Sequence, residues 1–228
     1  EALSKPDGWN SYWNPDNRPV YYGTTSDNSF EINDFIYIIQ NNEAIVARYA
    51  GDSSTIVIPD KVEINGKEYD VTIIGRKAFA DSVSLIKIDI PNSVTKIESC
   101  AFSNCASLVD ITIPNSVTRI GYSAFENCSS LTNVVIPNSV VTIGSYAFSN
   151  CTSLTDIVIP SSVTTINNNT FENCTALTNI SLPNGITEIA GSTFRGCSSL
   201  TNVVIPNSVI TIGAYAFSYC KSLTNIVI

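Results

Sequence analysis

The stretch LTNVVIPNSVVTIGSYAFSNCTS, residues 131–153, decides the fold because the chain repeats it at one fixed spacing. Its proline recurs at 91, 114, 137, 160, 183 and 206, and its phenylalanine recurs at 79, 102, 125, 148, 171, 194 and 217. Its cysteine recurs at 105, 128, 151, 174, 197 and 220, so each series advances by 23 residues without a slip. A constant period of this length indicates stacked coils, each of which buries its apolar face only against its neighbours.

The first part of each unit, Leu-x-x-Ile-x-Ile, predicts a short strand. In the quoted copy, Leu131, Val134 and Ile136 are expected to point into the core. The proline that follows removes a hydrogen-bond donor and therefore ends the strand. Successive copies would pair in parallel at about 4.8 Å per coil.

The second part, Ser-Val-Thr-x-Ile-Gly, alternates apolar and polar residues and predicts a second short strand on the opposite side. The glycine is expected to turn the chain, although Glu98, Asn167 and Ala190 replace it in three coils. The Ala-Phe-x-x-Cys stretch is too short for a helix and predicts a single 3₁₀ or α turn. The predicted fold is a leucine-rich-repeat solenoid, a right-handed superhelix of parallel strands and short turns with a 23-residue period.

The region before the repeats predicts a β cap. Asn65-Gly66 lies between alternating apolar residues, which is a strong hairpin signal, and residues 30–50 predict two strands around Asn41-Asn42. We therefore divide the chain into an aromatic, Asn-rich segment (1–29), a cap with the first coil (30–80) and the repeats (81–228), the last of which is truncated. The aromatic residues of the first segment, Trp9, Trp13, Tyr21 and Tyr22, are expected to fold back onto a neighbouring element.

The repeat resembles the BspA-like leucine-rich-repeat family, also called the Treponema pallidum type. The motifs that carry the resemblance are Ile-Pro-Asn-Ser-Val-Thr, Ile-Gly-x-x-Ala-Phe and Asn-Cys-x-Ser-Leu-Thr, over about residues 30–228. Residues 1–29 resemble the closing segment of a preceding repeat block. The resemblance implies a bacterial cell-surface or secreted protein that adheres or binds host proteins, but it assigns no binding residue. The absence of methionine suggests a piece of a longer chain.

Composition argues against several classes of function. The net charge of −8 disfavours nucleic acid and anionic membranes as partners, and no apolar run reaches the length of a membrane-spanning helix. The chain has no histidine, which removes Ser-His-Asp and Cys-His catalysis, and it has no phosphate-binding glycine loop. We therefore predict no enzyme, with no catalytic, cofactor or metal residue. A calcium site or a carboxylate pair stays open as a minor alternative, although Lys87 and Asp110 predict an ordinary surface ion pair.

The periodic cysteines allow two interpretations. They could be a metal-binding stack of thiolates, or a ladder of buried free thiols that fills one core position. The absence of any Cys-x-x-Cys pair favours the buried ladder and predicts no intrachain disulfide. Cys100 lies off the period, at a position that takes Tyr146 and Asn169 in other coils, so we expect it to be exposed.

The outward face of the first strand is the candidate binding surface, because the corresponding sheet of leucine-rich repeats usually lines the concave side. Its threonines are also expected to hydrogen-bond one another across strands. We predict binding of a host or matrix protein or a glycan outside the cell, against the alternatives of a structural stalk and, remotely, an enzyme. The uncapped last coil could also associate end to end with another copy. The predicted binding residues are Thr132, Asn133, Val135, Thr155, Asp156, Val158, Thr178, Asn179, Ser181, Thr201, Asn202 and Val204.

Overall fold

The computed structural model describes residues 28–228, and every regular element in that range is a strand. The N-terminal part consists of strands β1 (Ser29–Ile32), β2 (Phe35–Gln40), β3 (Glu43–Tyr49), β4 (Thr55–Val57), β5 (Lys61–Ile64) and β6 (Lys67–Ile74). The pairs β1–β2, β2–β3 and β5–β6 are antiparallel. The predicted closing segment (1–29) lies, up to residue 27, outside the described residues, and so do its aromatic residues Trp9, Trp13, Tyr21 and Tyr22. The division of the chain at residues 29 and 80 stays a prediction.

Three two-residue turns make these antiparallel pairs. Asn33-Asp34, Asn41-Asn42 and Asn65-Gly66 all have positive φ at both positions, which matches the right-handed twist of the strands they join. The predicted hairpin at Asn65-Gly66 is confirmed. The prediction of two strands in residues 30–50 was wrong by one, because Asn33-Asp34 splits the first of them into β1 and β2.

From residue 85 onward the strands alternate between three and two residues in length. The three-residue strands are β7 (Lys87–Asp89), β9 (Asp110–Thr112), β11 (Asn133–Val135), β13 (Asp156–Val158), β15 (Asn179–Ser181), β17 (Asn202–Val204) and β19 (Asn225–Val227). The two-residue strands are β8 (Lys96–Ile97), β10 (Arg119–Ile120), β12 (Thr142–Ile143), β14 (Thr165–Ile166), β16 (Glu188–Ile189) and β18 (Thr211–Ile212).

These strands form two parallel sheets. The long-strand sheet consists of β4 and the seven three-residue strands in sequence order, so it has eight strands. The short-strand sheet continues from β6 through β8, β10, β12 and β14, and β16 and β18 form a separate pair. Residues 23 apart are in register, as Asn133 is with Asp156. The predicted parallel solenoid is confirmed.

The core lies between the sheets and repeats with the coil. Leu131, Val134 and Ile136 are buried as predicted, and the same positions are buried in most other coils. The phenylalanines form a continuous stack from Phe79 to Phe217, with neighbouring ring centroids 5.1 to 5.7 Å apart and planes within 14° of parallel. Each ring therefore fills the space between the rings above and below it, where offset stacking adds to burial.

The Ala-Phe-x-x-Cys stretch is a run of turns and contains no helix. Alternate amides bond within the coil, as Ser103 N–H does to Cys100 O at 3.1 Å. The amides between them bond the next coil, as Phe102 N–H does to Ala124 O at 2.8 Å. Positive φ at Cys100 (57°) and Asn104 (62°) produces this alternation, and the equivalent residues of later coils share it. A helix cannot form because half of its amides are directed to the neighbouring coil.

The glycines after the short strands make room for the backbone of the neighbouring coil. They do not adopt left-handed backbone angles. Positive φ occurs at Gly66 and Gly196, and not at Gly121 or Gly144. A Cβ on Gly144 would lie 2.6 Å from the carbonyl carbon of Gly121. The expectation that these glycines turn the chain by their conformational freedom was wrong for Gly121 and Gly144, whose backbones lie close against the preceding coil. Other coils do carry a side chain at this position, as Glu98, Asn167 and Ala190 show.

Candidate interaction surface

The outward residues of the long-strand sheet form three columns along the stack. Strand register places Thr132, Asn133 and Val135 beside the equivalent residues of the next coil, and the pattern continues to β19. All twelve predicted residues lie on this surface. Ten of them are exposed, while Thr178 and Thr201 are half-buried. We call this surface the column face.

The threonine column is bonded to the backbone. The hydroxyl of Thr132 donates to the carbonyl of Val109 at 3.3 Å, and Thr155, Thr178, Thr201 and Thr224 each donate to the equivalent residue one coil earlier. The expectation that threonines bond one another was wrong, because each hydroxyl reaches the carbonyl of the preceding coil. The column therefore ties coils together and uses its donors in doing so.

The second column presents amides and carboxylates. Asn179 and Asn202 each donate an Nδ2 hydrogen to the hydroxyl oxygen of the preceding threonine at 3.1 Å. Asp110 and Asp156 expose carboxylates in the same column, with Asn133 between them. Much of the donor capacity of the face is thus used within the sheet, and acceptor oxygens dominate what it offers a partner.

The third column is largely aliphatic. Val135, Val158 and Val204 are 64%, 70% and 59% exposed, and Ser181 interrupts them. Scattered surface valines are ordinary, but these lie in one line beside the polar column. The column face therefore pairs an apolar line with a line of acceptors.

The ion pair at the first end of the face differs from the predicted one. Lys87 and Asp110 are in register, as expected. However, the Nζ of Lys87 lies 3.5 Å from the carboxylate of Asp89 on its own strand, and both side chains are about half exposed. The observed ion pair therefore lies within one strand and not between two strands, and such an exposed pair contributes little to stability.

The periodic cysteines form a buried ladder of free thiols. Each Sγ donates to the carbonyl of the phenylalanine 26 residues earlier, as Cys128 does to Phe102 at 3.1 Å. Burial raises the pKa of Cys105 and of Cys174 to about 12. Within residues 28–228 no three His, Cys, Asp or Glu side chains are grouped so as to hold a metal ion.

Cys100 is half-buried and not exposed as predicted. Its backbone has a φ of 57°, and burial raises its pKa more than the nearby Arg76 and Lys77 lower it. The inference from Tyr146 and Asn169 was misleading, because both are themselves half-buried, and what they share with Cys100 besides is a left-handed backbone.

We expect thiol labelling of the native protein to separate the seven cysteines into two groups. At pH 8, Cys100 and Cys220, which are half-buried, should react first with a small disulfide reagent. The five fully buried thiols should react only on unfolding, because both access and thiolate formation are suppressed. Mass mapping of labelled peptides measures this, with the urea-unfolded protein as the control. Fast native labelling of Cys151 would contradict the buried ladder.

The turns carry a polar cluster that the repeat pattern did not reveal. The carboxylate of Glu172 is largely buried, and it accepts hydrogen bonds from Arg195 at 2.6 Å and from Asn169 at 2.7 Å. The signal in the sequence is that Glu172 and Arg195 occupy a position taken by serine at 103 and 149. These contacts are satisfied within the protein, so the cluster supports the fold.

Comparison with known proteins agrees with this geometry. The model of the BspA type leucine rich repeat region matches six copies, over residues 72–200 and 142–228. The chain belongs to the BspA-type leucine-rich-repeat family. No curated protein matches it. In residues 28–228, no helix is long and apolar enough to cross a bilayer.

Two solved structures of bacterial leucine-rich repeat proteins are similar to this chain. A leucine-rich repeat protein from Bacteroides ovatus is 30% identical, with a TM-score of 0.81 over 87% of this chain and 53% of that one. The leucine-rich repeat protein of T. pallidum is 33% identical, with a TM-score of 0.79 over 86% of this chain and 90% of that one. This chain therefore spans about half of the Bacteroides protein.

Proposed function

We propose that this chain is a non-catalytic interaction module that binds a macromolecule through the column face, outside a bacterial cell. The observation that carries the proposal is the continuous exposure of three side-chain columns over successive coils. A rigid, periodic surface loses little conformational entropy on binding, which favours recognition. The relatives support a bacterial origin, and membership of the BspA-type family supports the extracellular setting.

The alternative is a structural stalk, in which the coils only hold other domains apart. A stalk needs the buried columns but makes no demand on the outward ones. The two functions therefore differ in how they respond to changes that leave the core intact.

A triple substitution on the column face separates the two functions. The substitutions are Asn133→Arg, Thr155→Arg and Asn179→Arg. They should abolish binding of any partner that the unaltered protein binds, because three long cationic side chains cover the face without entering the core. The partners to test are immobilised fibronectin, laminin and type I collagen, and a glycan array. The melting temperature should fall only slightly, since all three positions are exposed and the hydrogen bonds lost, from Thr155 to the carbonyl of Thr132 and from Asn179 to Thr178, lie at the surface.

The matched control places the same three charges next to the short-strand sheet, directly before β10, β12 and β14. Thr118→Arg, Val141→Arg and Thr164→Arg lie one coil apart at exposed positions and add the same net charge. This control should bind as the unaltered protein does. Equal binding by both triple variants would favour the stalk.

A further inference from the structure

The charge and the side-chain types of the column face restrict the chemical class of partner that it can bind. From Val109 onward, none of the described residues in the three columns is a lysine, an arginine or an aromatic residue. Sugar rings are commonly held by stacking against an aromatic side chain, and this face offers none. It offers acceptor oxygens beside exposed valines, which complement a polypeptide surface that carries donors and aliphatic groups.

Among the carboxylates of this face, Asp156 is the one whose negative charge is least balanced by neighbouring side chains. Its in-register neighbours are Asn133 and Asn179, which are neutral. Asp110, two coils earlier, differs in having a cationic residue in register with it, Lys87, although the ammonium of Lys87 pairs with Asp89. Asp156 therefore places one uncompensated negative charge in the middle of a neutral face.

The valines beside Asp156 would strengthen an ion pair made there. Val158 lies two residues further along the same strand and is 70% exposed, and Val135 lies beside it on the preceding coil at 64%. A partner that covers these valines excludes water from the neighbouring carboxylate. An ion pair formed in the resulting lower dielectric is stronger than one in open solvent.

We propose that the partner of the column face is a polypeptide that presents a lysine or arginine among aliphatic side chains, and that Asp156 pairs with that cation. This inference rests on the proposed function. It names the class of partner and the residue that selects it. An extended partner segment laid along the strand would place its cation over Asp156 and an aliphatic side chain two residues away over Val158.

The test uses a phage-displayed library of random dodecapeptides selected on the full chain. The unaltered protein should enrich peptides with a basic residue two positions from Val, Ile or Leu. Asp156→Asn should weaken binding of the best peptide about tenfold and remove most of its sensitivity to salt. The fold should not change, because asparagine already occupies this column at 133, 179 and 202.

A relocated charge provides the matched control. Adding Asn202→Asp to the Asp156→Asn variant restores the original net charge and places the carboxylate two coils, or roughly 10 Å, from its first position. Library selection on this double variant should again enrich basic peptides, since its neighbours Asn179 and Asn225 are also neutral.

The outcomes distinguish this inference from the proposed function. Equal binding of the selected peptides by Asp156→Asn would overturn the inference, and so would enrichment of neutral, acidic or aromatic peptides. Binding of a glycan that the triple arginine variant loses would overturn the class of partner while leaving the column face in use. Peptide binding that the triple arginine variant retains would overturn the proposed function itself.

Discussion

Replacing Phe148 by alanine is expected to lower the free energy of unfolding by about 3–5 kcal/mol. The ring is fully buried, and its centroid lies 5.3 Å from that of Phe125 and 5.6 Å from that of Phe171. Alanine would leave a cavity in the middle of the stack, and backbone hydrogen bonds to both neighbouring coils limit its collapse. Urea denaturation followed by circular dichroism measures the loss.

Phe148→Leu is the control for this prediction. Leucine keeps most of the buried volume and removes the stacking, so the loss should be about 1–2 kcal/mol. A loss below about 1 kcal/mol for Phe148→Ala would show that the coils close around the cavity independently. That result would contradict a continuous core column.

Gly144→Ala is expected to destabilise the array by about 2–3 kcal/mol through overpacking. The added methyl group would lie 2.6 Å from the carbonyl carbon of Gly121 and 2.7 Å from the amide nitrogen of Tyr122. Both atoms belong to the backbone of the preceding coil, so no side-chain rotation can make room. The coils must separate, which strains the bond from Gly144 N–H to Ile120 O, now 3.0 Å long. Thermal and urea denaturation measure the effect.

Gly185→Ala is the matched control within the same array. A Cβ there would meet its nearest neighbours at 3.7 Å, and its φ lies outside the left-handed range. Alanine should therefore be neutral or stabilise the protein by up to about 1 kcal/mol, since it restricts the unfolded chain. Similar destabilisation by both substitutions would contradict the role of close approach at Gly144.

The sequence was sufficient for everything that follows from the period. Alternation within the coil identified Leu131, Val134 and Ile136 as core residues. The fixed spacing of the phenylalanines predicted stacked coils, in which equivalent rings lie over one another. The outward columns followed from the same alternation. These features depend on side-chain type and spacing, which the sequence states directly.

The sequence was insufficient where hydrogen bonds between coils decide the geometry. The left-handed position of Cys100 accepts Ser123, Tyr146 and Asn169 in other coils, so residue type does not identify it. The threonine hydroxyls have two possible acceptors, and only the distance between coils favours the carbonyl. Likewise, Asn33-Asp34 lacks the glycine that marks the hairpin at Asn65-Gly66, although both make the same kind of turn.

The alternating amide bonds of the turns make the length of this protein adjustable. An isolated coil could satisfy only half of its turn amides, as Ser103 does, while those equivalent to Phe102 need a following coil. Insertion or deletion of a whole 23-residue unit between two regular coils would recreate every bond at the new junction, whereas any other length would break the register of both sheets. Gene duplication can therefore lengthen or shorten such an array in whole units without a new interface having to evolve.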